Sequence, residues 1–385
     1  MNPILALALV AAAGIAATRL RLPALRHRLS LYRLPAGGGW VSLVLLGLAL
    51  GPGLGVLDRP TLRDLAPVIA LGIGWIGAAF GARLEWRVVR RIPRRVWALA
   101  ALQAAVVFGV TALAAWLLAR ALPALAAAWR PTRPALLILA AAATVSGPGA
   151  VALVARAAGV RRALVKAFER AATLDTALGG LAFAFTLAVY HPRQLVASLP
   201  LAALEWSAVA VAASGGVGML FLWLSRLRTD LQGLDLLGVM LLGAGVGYAA
   251  DLSPFVVCAL AAALIVNLST ARRRVQALLA AWGQPIYAVF GIVAGALLDL
   301  PTVWVLPAVV VLGLVRVAAR WPRGLATVAQ GGVAVALGGT FYLLYGGPGA
   351  GPVLTTVLLG VALARAIAGP LTALAARSAP FEVTS

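Results

Sequence analysis

Residues 167–190, AFERAATLDTALGGLAFAFTLAVY, decide how the chain folds. After Arg170 this stretch continues for twenty residues with one charged side chain, Asp175. Such a run is long enough to cross a bilayer as a helix. A carboxylate in it costs about 2.5–3.5 kcal/mol on insertion scales, so its presence indicates a function. The alternative is a structural role, in which Asp175 fixes helix packing through a hydrogen bond or an ion pair.

The composition indicates a membrane protein. Of 385 residues, 63% are hydrophobic and 11% are charged, which is more apolar surface than a soluble protein of this size can bury. No basic residue precedes the apolar run Ile4–Thr18 and no convincing cleavage site follows it, so we expect a span rather than a signal peptide. The net charge is +21, but the basic residues lie in short connectors and not in one soluble patch, so nucleic acid is not an expected partner.

Thirteen apolar runs predict an all-α, polytopic membrane protein of about thirteen transmembrane helices. The predicted spans are Ile4–Thr18, Trp40–Leu57, Leu65–Ala82, Val96–Ala119, Ala135–Ala158, Ala167–Tyr190, Leu204–Leu224, Leu234–Ala250, Pro254–Asn267, Trp282–Leu298, Val303–Ala319, Leu325–Tyr345 and Val353–Ile367.

Basic and poorly charged connectors alternate along the chain. Those after spans 1, 3, 5, 7, 9 and 11 are the basic ones; examples are Arg21 and Arg26, Arg90 and Arg91, Arg161 and Lys166, Arg226 and Arg228, Arg272 and Arg273, and Arg320 and Arg323. The connector after span 4, with Arg120, Arg130 and Arg133, is the exception. By the positive-inside rule, we expect the N-terminus outside the cell and the C-terminus in the cytoplasm. The expected location is the plasma (inner) membrane.

Two spans are interrupted in a related way. Residues 143–153, ATVSGPGAVAL, resemble residues 326–337, ATVAQGGVAVAL. Proline removes a backbone donor and glycine lets the helix open, and paired broken helices indicate a transporter's binding site. Because the two spans are seven apart, they run in opposite directions, and we predict an inverted repeat with two crossed broken helices; the alternative is coincidence in a glycine-rich chain. The residues of the predicted crossover are Gly147, Pro148, Gly149, Gln330, Gly331 and Gly332.

The sequence offers little for an enzyme. It has no nucleotide-binding loop, no cluster of histidine and cysteine, and no hydrolytic triad. His27 and His191 fall in connectors, and the single cysteine, Cys258, excludes an intrachain disulfide. We therefore expect neither catalysis nor a cofactor.

One basic residue falls well inside a span. Arg316 in span 11 lies four residues before the basic margin at Arg320, and Asp175 lies five residues after the margin at Arg170. The two side chains are therefore expected at similar depth, where they could pair. The alternative is that Arg316 extends to the membrane interface and pairs with nothing.

Nearly the whole chain resembles the monovalent cation:proton antiporter superfamily, in its bacterial sodium/hydrogen exchanger branch, similar to cation:proton antiporter-2 members. The resemblance rests on the order and spacing of several motifs: Gly47–Pro52 in span 2, Leu99–Gln103, the first broken span, the carboxylate helix, Leu252–Pro254 with Asn267, and Gln330–Gly332. It implies thirteen helices, a homodimer, and an ion site at which Asp175 binds H⁺ or Na⁺ in competition. It also implies that Arg316 is the charge-pairing residue.

The same resemblance implies a division into a moving core and a dimerisation scaffold. Residues 1–95 and 233–300 are the predicted scaffold, with helices 1–3 and 8–10. Residues 96–190 and 301–385 are the two halves of the core, with helices 4–6 and 11–13. Residues 191–232 form the linker helix 7.

One departure from the family pattern bears on the ion site. Many members carry Asp-Asp or Asn-Asp where this chain has Asp175-Thr176, and there the second acid binds the ion. Other members carry Gln-Asp, which aligns with Leu174-Asp175 and keeps the acid. We favour Asp175 as the carrier, with Thr144, Ser146 and Thr176 as further ion-binding residues. The transported cation is the only metal expected.

The leading hypothesis is a secondary active transporter that exchanges protons for a monovalent cation by an elevator-type movement. Na⁺ is favoured, with K⁺ or Li⁺ as alternatives, and membrane lipids surround the protein. A second hypothesis is a transport-inactive membrane scaffold or sensor, in which Thr176 occupies the essential position. A third is an anion symporter or channel that uses Arg316.

The predicted orientation can be tested by labelling. On a Cys258→Ala background, a cysteine introduced at Pro93, in the basic connector after span 3, should react with an impermeant thiol reagent only from the cytoplasmic side. Labelling from the outside would contradict the predicted topology.

Overall fold

The computed structural model describes residues 3–19, 38–192, 201–227, 232–321 and 325–378. Within these ranges the regular structure is helical throughout, which confirms the all-α prediction. The basic connector after span 1, with His27, lies outside the described residues, as do Arg228 and Arg323. Helices suit a lipid environment because they satisfy their own backbone hydrogen bonds.

The α-helices of the described residues are Pro3–Arg19 (α1), Gly38–Leu48 (α2), Arg59–Asp64 (α3), Ala66–Gly81 (α4), Trp86–Val89 (α5), Arg94–Ala121 (α6), Pro123–Ala128 (α7), Thr132–Thr144 (α8), Pro148–Ala157 (α9), Arg162–Val189 (α10), Ala203–Leu227 (α11), Gln232–Ala249 (α12), Pro254–Leu268 (α13), Arg272–Ala296 (α14), Val305–Ala319 (α15), Gly332–Tyr345 (α16) and Gly347–Ser378 (α17). A π-helical turn, Ala49–Gly53, continues α2, and a 3₁₀ turn, Leu325–Thr327, precedes α16.

The helices correspond to the apolar runs, but not all are of full membrane length. Five described helices are long and apolar enough to cross a membrane, and the bent pair α8 and α9 adds a sixth. The other apolar helices have 10–17 residues. The structure is therefore that of a polytopic membrane protein, while the count of thirteen spans stays a prediction.

Two helices extend well beyond their predicted edges. α14 begins at Arg272, ten residues before the predicted start at Trp282, and α17 covers Gly347–Ser378 instead of Val353–Ile367. An apolar run ends where charged or small residues begin, but a helix continues as long as its backbone bonds are satisfied. The arginines 272–274 thus form the first turn of α14 and not a loop.

Glycine allows the helices to approach backbone to backbone. A Cβ atom on Gly81 of α4 would lie 1.9 Å from the carbonyl oxygen of Ala259 in α13. A Cβ atom on Gly47 of α2 would lie 1.9 Å from the carbonyl oxygen of Ile292 in α14. Small residues of this kind drive helix association in lipid, where van der Waals contact replaces the hydrophobic effect.

The helices pack in two groups. In one group, α4 packs against α12, α13 and α14, and α14 also packs against α1 and α2. In the other, α6, α8, α10, α15, α16 and α17 pack against one another. α16 contacts α4 across the boundary, and α11 packs mainly on α12 and α13. The division into a moving core and a fixed scaffold stays a prediction.

Ion pairs mark two faces of the molecule. On the basic face, Arg83 pairs with Glu169 at 3.1 Å and Arg272 pairs with Glu85 at 2.9 Å. Arg83 and Glu85 lie in the basic connector after α4, Glu169 lies in α10, and Arg272 begins α14. On the opposite face, Arg59 pairs with Asp299 at 2.8 Å.

Candidate functional site

The two broken helices meet in direct backbone contact. The first break separates α8 from α9, and the second separates the 3₁₀ turn from α16. The backbone N–H of Gly147 donates to the carbonyl oxygen of Ala329 at 2.9 Å. A Cβ atom on Gly147 would lie 2.6 Å from the backbone nitrogen of Gly331, so a larger residue would force the two chains apart. The predicted crossover of the two broken helices is therefore present. Glycine permits it because it has no side chain to separate the two unwound segments.

Asp175 lies beside this crossover and is only 2% exposed. Its Oδ2 atom accepts a hydrogen bond from Nη1 of Arg320 at 2.7 Å, and the two side chains form a buried ion pair. The Ser146 hydroxyl, in the first break, lies 3.0 Å from the same oxygen. The carboxylate on the apolar helix is thus paired, as its cost in lipid requires.

The partner of Asp175 is Arg320, which the sequence analysis placed in a connector. Arg320 follows the last residue of α15 and is 2% exposed. Its Nη2 atom donates to the carbonyl oxygen of Thr144 at 2.7 Å, and its Nη1 atom also donates to the Thr327 hydroxyl. One guanidinium group therefore connects the carboxylate with both breaks.

Arg316 makes different contacts from the ones expected. Its side chain is 4% exposed, so it does not extend to the interface. It donates to the carbonyl oxygens of Ala143 and Val328, both at 2.6 Å, and of Val145 at 3.3 Å. The ion pair with Asp175 that we expected of Arg316 is formed by Arg320, one helical turn further along.

The sequence contains one signal that Arg320 could lie beside Arg316 in the site. Arg316 and Arg320 are four residues apart, which places both side chains on one face of a helix. Arg320 is also the first residue of a basic connector, and an arginine in that position is expected to be exposed to solvent. The two interpretations cannot be separated without knowing where α15 ends.

The hydroxyl groups around Asp175 are engaged with backbone carbonyls. Thr176 donates to the carbonyl oxygen of Ala172 at 2.7 Å and contacts that of Ser146, and Thr144 donates to that of Ala140 at 2.9 Å. Ser146 also lies 2.8 Å from the carbonyl oxygen of Thr327. Each hydroxyl oxygen keeps lone pairs after donating its proton, and oxygen is the donor type that hard cations prefer.

Of the other residues of the predicted crossover, Pro148 and Gly149 begin α9, Gln330 lies in the second break, and Gly332 begins α16. The amide nitrogen of Gln330 donates to the carbonyl oxygen of Ala142 at 2.7 Å. The carbonyl oxygen of Gln330 accepts from Nε of Arg365 in α17 at 3.0 Å. Gln330 therefore fastens the second break to the end of α8.

Two cavities lie between the two groups of helices, one toward each face. The cavity on the basic face has a volume of about 670 Å³ and reaches Gly147 and Gly331 at the crossover. The cavity on the opposite face has a volume of about 700 Å³ and is lined by Arg59, Asp299 and Tyr342 among others. Asp175 lines neither of them, so the ion pair is closed off in this conformation.

Asp175 is the one carboxylate that the described part of the chain places at this site. Among the described residues, no three His, Cys, Asp or Glu side chains lie together as a metal would need. A cation at Asp175 would be held by one carboxylate together with hydroxyl and carbonyl oxygens.

Comparisons with known proteins establish the fold. No protein-family model and no curated protein sequence matches the chain. The chain resembles the solved structure of the sodium proton antiporter MjNhaP1 from Methanocaldococcus jannaschii at pH 8, with a TM-score of 0.67 at 15% identity over 98% of both chains. An electron-microscopy structure of the same antiporter gives a TM-score of 0.59 at 16% identity, over 97% of this chain and 96% of that one. The chain therefore has the cation:proton antiporter fold that its sequence motifs predicted.

The ion pair can be tested by a double-mutant cycle. Arg320→Gln leaves Asp175 buried without its cation, which for a buried pair costs about 3–5 kcal/mol. We expect a large fall in melting temperature, most of which is recovered in Asp175→Asn/Arg320→Gln. Thermal unfolding of the detergent-purified variants measures the fall in melting temperature and its recovery. Arg156→Gln, which changes an exposed arginine on α9, is the matched control. Additive effects of the two single changes would show that the side chains do not interact.

Proposed function

We propose that the chain exchanges protons for a monovalent cation, with Na⁺ as the first candidate and Asp175 as the shared binding site. The observation that carries this proposal is the buried Asp175 carboxylate at the crossing of two broken helices, surrounded by hydroxyl and carbonyl oxygens. Broken helices that meet at a carboxylate are typical of secondary transporters. The fold similarity to a sodium proton antiporter supports the same function.

Competition for the carboxylate gives obligatory exchange. Asp175 can hold a proton, a cation or the Arg320 guanidinium, and each excludes the other two from the same oxygen. When the carboxylate is taken, Arg320 still has the Thr144 carbonyl and the Thr327 hydroxyl as acceptors, so its charge is not left bare. Arginine does not lose its proton in proteins. Arg320 is therefore a displaceable partner and not a proton carrier, and the expected stoichiometry is one for one.

The boundary between the two helix groups suits an elevator-type movement of the core. Side chains of α4 lie against glycines of α16: a Cβ atom on Gly339 would be 3.0 Å from Cδ1 of Ile73, and one on Gly332 would be 3.6 Å from Cδ1 of Ile76. Apolar side chains against glycine form a smooth surface. Cavities toward both faces lie beside this boundary, and sliding of the core would open Asp175 to each in turn.

The contacts of Arg316 and Asp175 also favour or disfavour the alternative functions. Anion transport through Arg316 is disfavoured because its guanidinium donates to three backbone carbonyls. The transport-inactive scaffold or sensor is favoured by two observations: Thr176 stands next to Asp175, and a closed ion pair occupies the site. A homodimer in the plasma membrane completes the proposal.

Flux through reconstituted protein tests the proposal. Asparagine keeps the shape of aspartate but neither ionises nor carries a proton, so Asp175→Asn should abolish cation-dependent proton flux in proteoliposomes. Thr176→Ala should weaken the apparent cation affinity and leave exchange measurable. Asp64→Asn, an exposed acid at the end of α3, is the matched control and should exchange at the wild-type rate.

Three results would contradict the proposal or part of it. Wild-type exchange in Asp175→Asn would rule out the carrier. Uptake of an organic anion in place of a cation-triggered pH change would favour the anion symporter. The absence of any flux from folded wild-type protein would favour the scaffold or sensor.

A further inference from the structure

The cavity on the basic face has an unusual lining for the approach to a cation site. Its charged side chains are Arg83 and Arg365, and its other long polar side chains are Gln276 and Tyr287. Among the described residues, no carboxylate lines it. A cavity that only concentrates cations should carry the opposite charge, because clefts lined by one sign of charge attract the other.

Arg83 and Arg365 hold two sides of this cavity. Arg365 belongs to α17 and is fixed by its bond from Nε to the carbonyl oxygen of Gln330. Arg83 follows α4, and its Nη2 atom would lie 3.7 Å from a Cβ atom built on Gly149. Its Nη1 atom bonds Glu169 at 3.1 Å, but Glu169 lies outside the cavity lining. The two guanidinium groups therefore come from the two helix groups and face one space.

The ends of the broken helices add to the positive charge. Both α9 and α16 begin at this cavity, and their N-cap residues, Gly147 and Gly331, have no side chain with which to cap the first N–H groups. Helix N-termini carry a partial positive charge and bind anions. The carbonyls at the negative ends of the breaks are already bound by Arg316 and Arg320, on the other side of the crossover. The positive ends are thus left facing the cavity.

We infer that this cavity binds a dissolved phosphate-type oxyanion, held by Arg83 and Arg365 and placed at the N-termini of α9 and α16. Guanidinium groups match the geometry of such oxygens and form charge-assisted hydrogen bonds with them. The volume of about 670 Å³ leaves room for the hydrated ion. Because the two arginines belong to different helix groups, the bound anion would connect the groups and stabilise the conformation in which this cavity is open.

A thermal-shift titration tests the site without measuring transport, so its failure is distinct from a failure of the proposed function. Detergent-purified protein is titrated with 0.1–10 mM sodium phosphate, at about constant ionic strength set by sodium gluconate. We expect a saturable rise in melting temperature at millimolar phosphate, whereas non-specific salting effects rise without saturating. Dihexanoyl-phosphatidylglycerol, in a parallel titration, shows whether a lipid headgroup or the dissolved ion is the better ligand.

Variants separate the charge of the arginines from their structural contacts. Arg365→Gln and Arg83→Gln should each weaken the apparent affinity about tenfold or more, since a charge-assisted hydrogen bond is lost. Glu169→Gln breaks the same ion pair as Arg83→Gln but keeps the positive charge, so it should bind at least as tightly as the wild type. Arg87→Gln, an exposed arginine in α5 outside the cavity, should bind like the wild type.

Two sets of results would overturn the inference. One is the absence of a saturable shift in the wild type. The other is a shift of the same size and midpoint in all four variants, or a loss in Glu169→Gln that matches the loss in Arg83→Gln. If Arg365→Gln does not fold, the comparison of the phosphate affinities of Arg83→Gln and Glu169→Gln tests the inference.

Discussion

A carboxylate and a guanidinium buried together in an apolar core must be matched in charge and in hydrogen bonds. Arg320 supplies the charge partner of Asp175 at 2.7 Å, and the Thr144 carbonyl and the Thr327 hydroxyl accept further N–H groups of the same guanidinium. Removing either partner leaves a buried charge, and an isolated charge is far more costly than a pair. The pair is stable only where further acceptors exist for the arginine. The two helix breaks supply them, because unwound segments expose carbonyls that a continuous helix would consume.

The two breaks separate charge across the crossover. Their carbonyl ends face Arg316 and Arg320, which neutralise the negative side. Their N-terminal ends face the cavity on the basic face, where Arg83 and Arg365 add to the positive side. The partial charges at the ends of the two breaks therefore do not cancel each other. In the proposed mechanism, the carboxylate on one side exchanges its arginine for another cation, and the proposed anion binds on the other side.

Much of this arrangement was predictable from the sequence. The all-α membrane fold follows from apolar runs, and the crossover follows from the related segments that contain Gly147 and Gly331. Asp175 stands out because a lone acid in an apolar helix has a high cost. The identity of its partner was not predictable, because Arg320 lies one turn beyond the apolar run and resembles the solvated arginines of every other basic connector. Asp251 is a second case: it falls between the predicted spans Leu234–Ala250 and Pro254–Asn267, and the structure buries it to 3% exposure. In both cases tertiary packing, which periodicity does not report, decides the environment.

In the proposed exchange, protons and cations compete for Asp175. Proton release on addition of NaCl to detergent-purified, weakly buffered protein measures this competition most directly, because binding of one ligand must expel the other. With one carrier acid, we expect the release of up to about one proton per chain when the experiment is repeated over a range of pH, and no release from Asp175→Asn. Absence of release at every pH, or release that persists in Asp175→Asn, would contradict it.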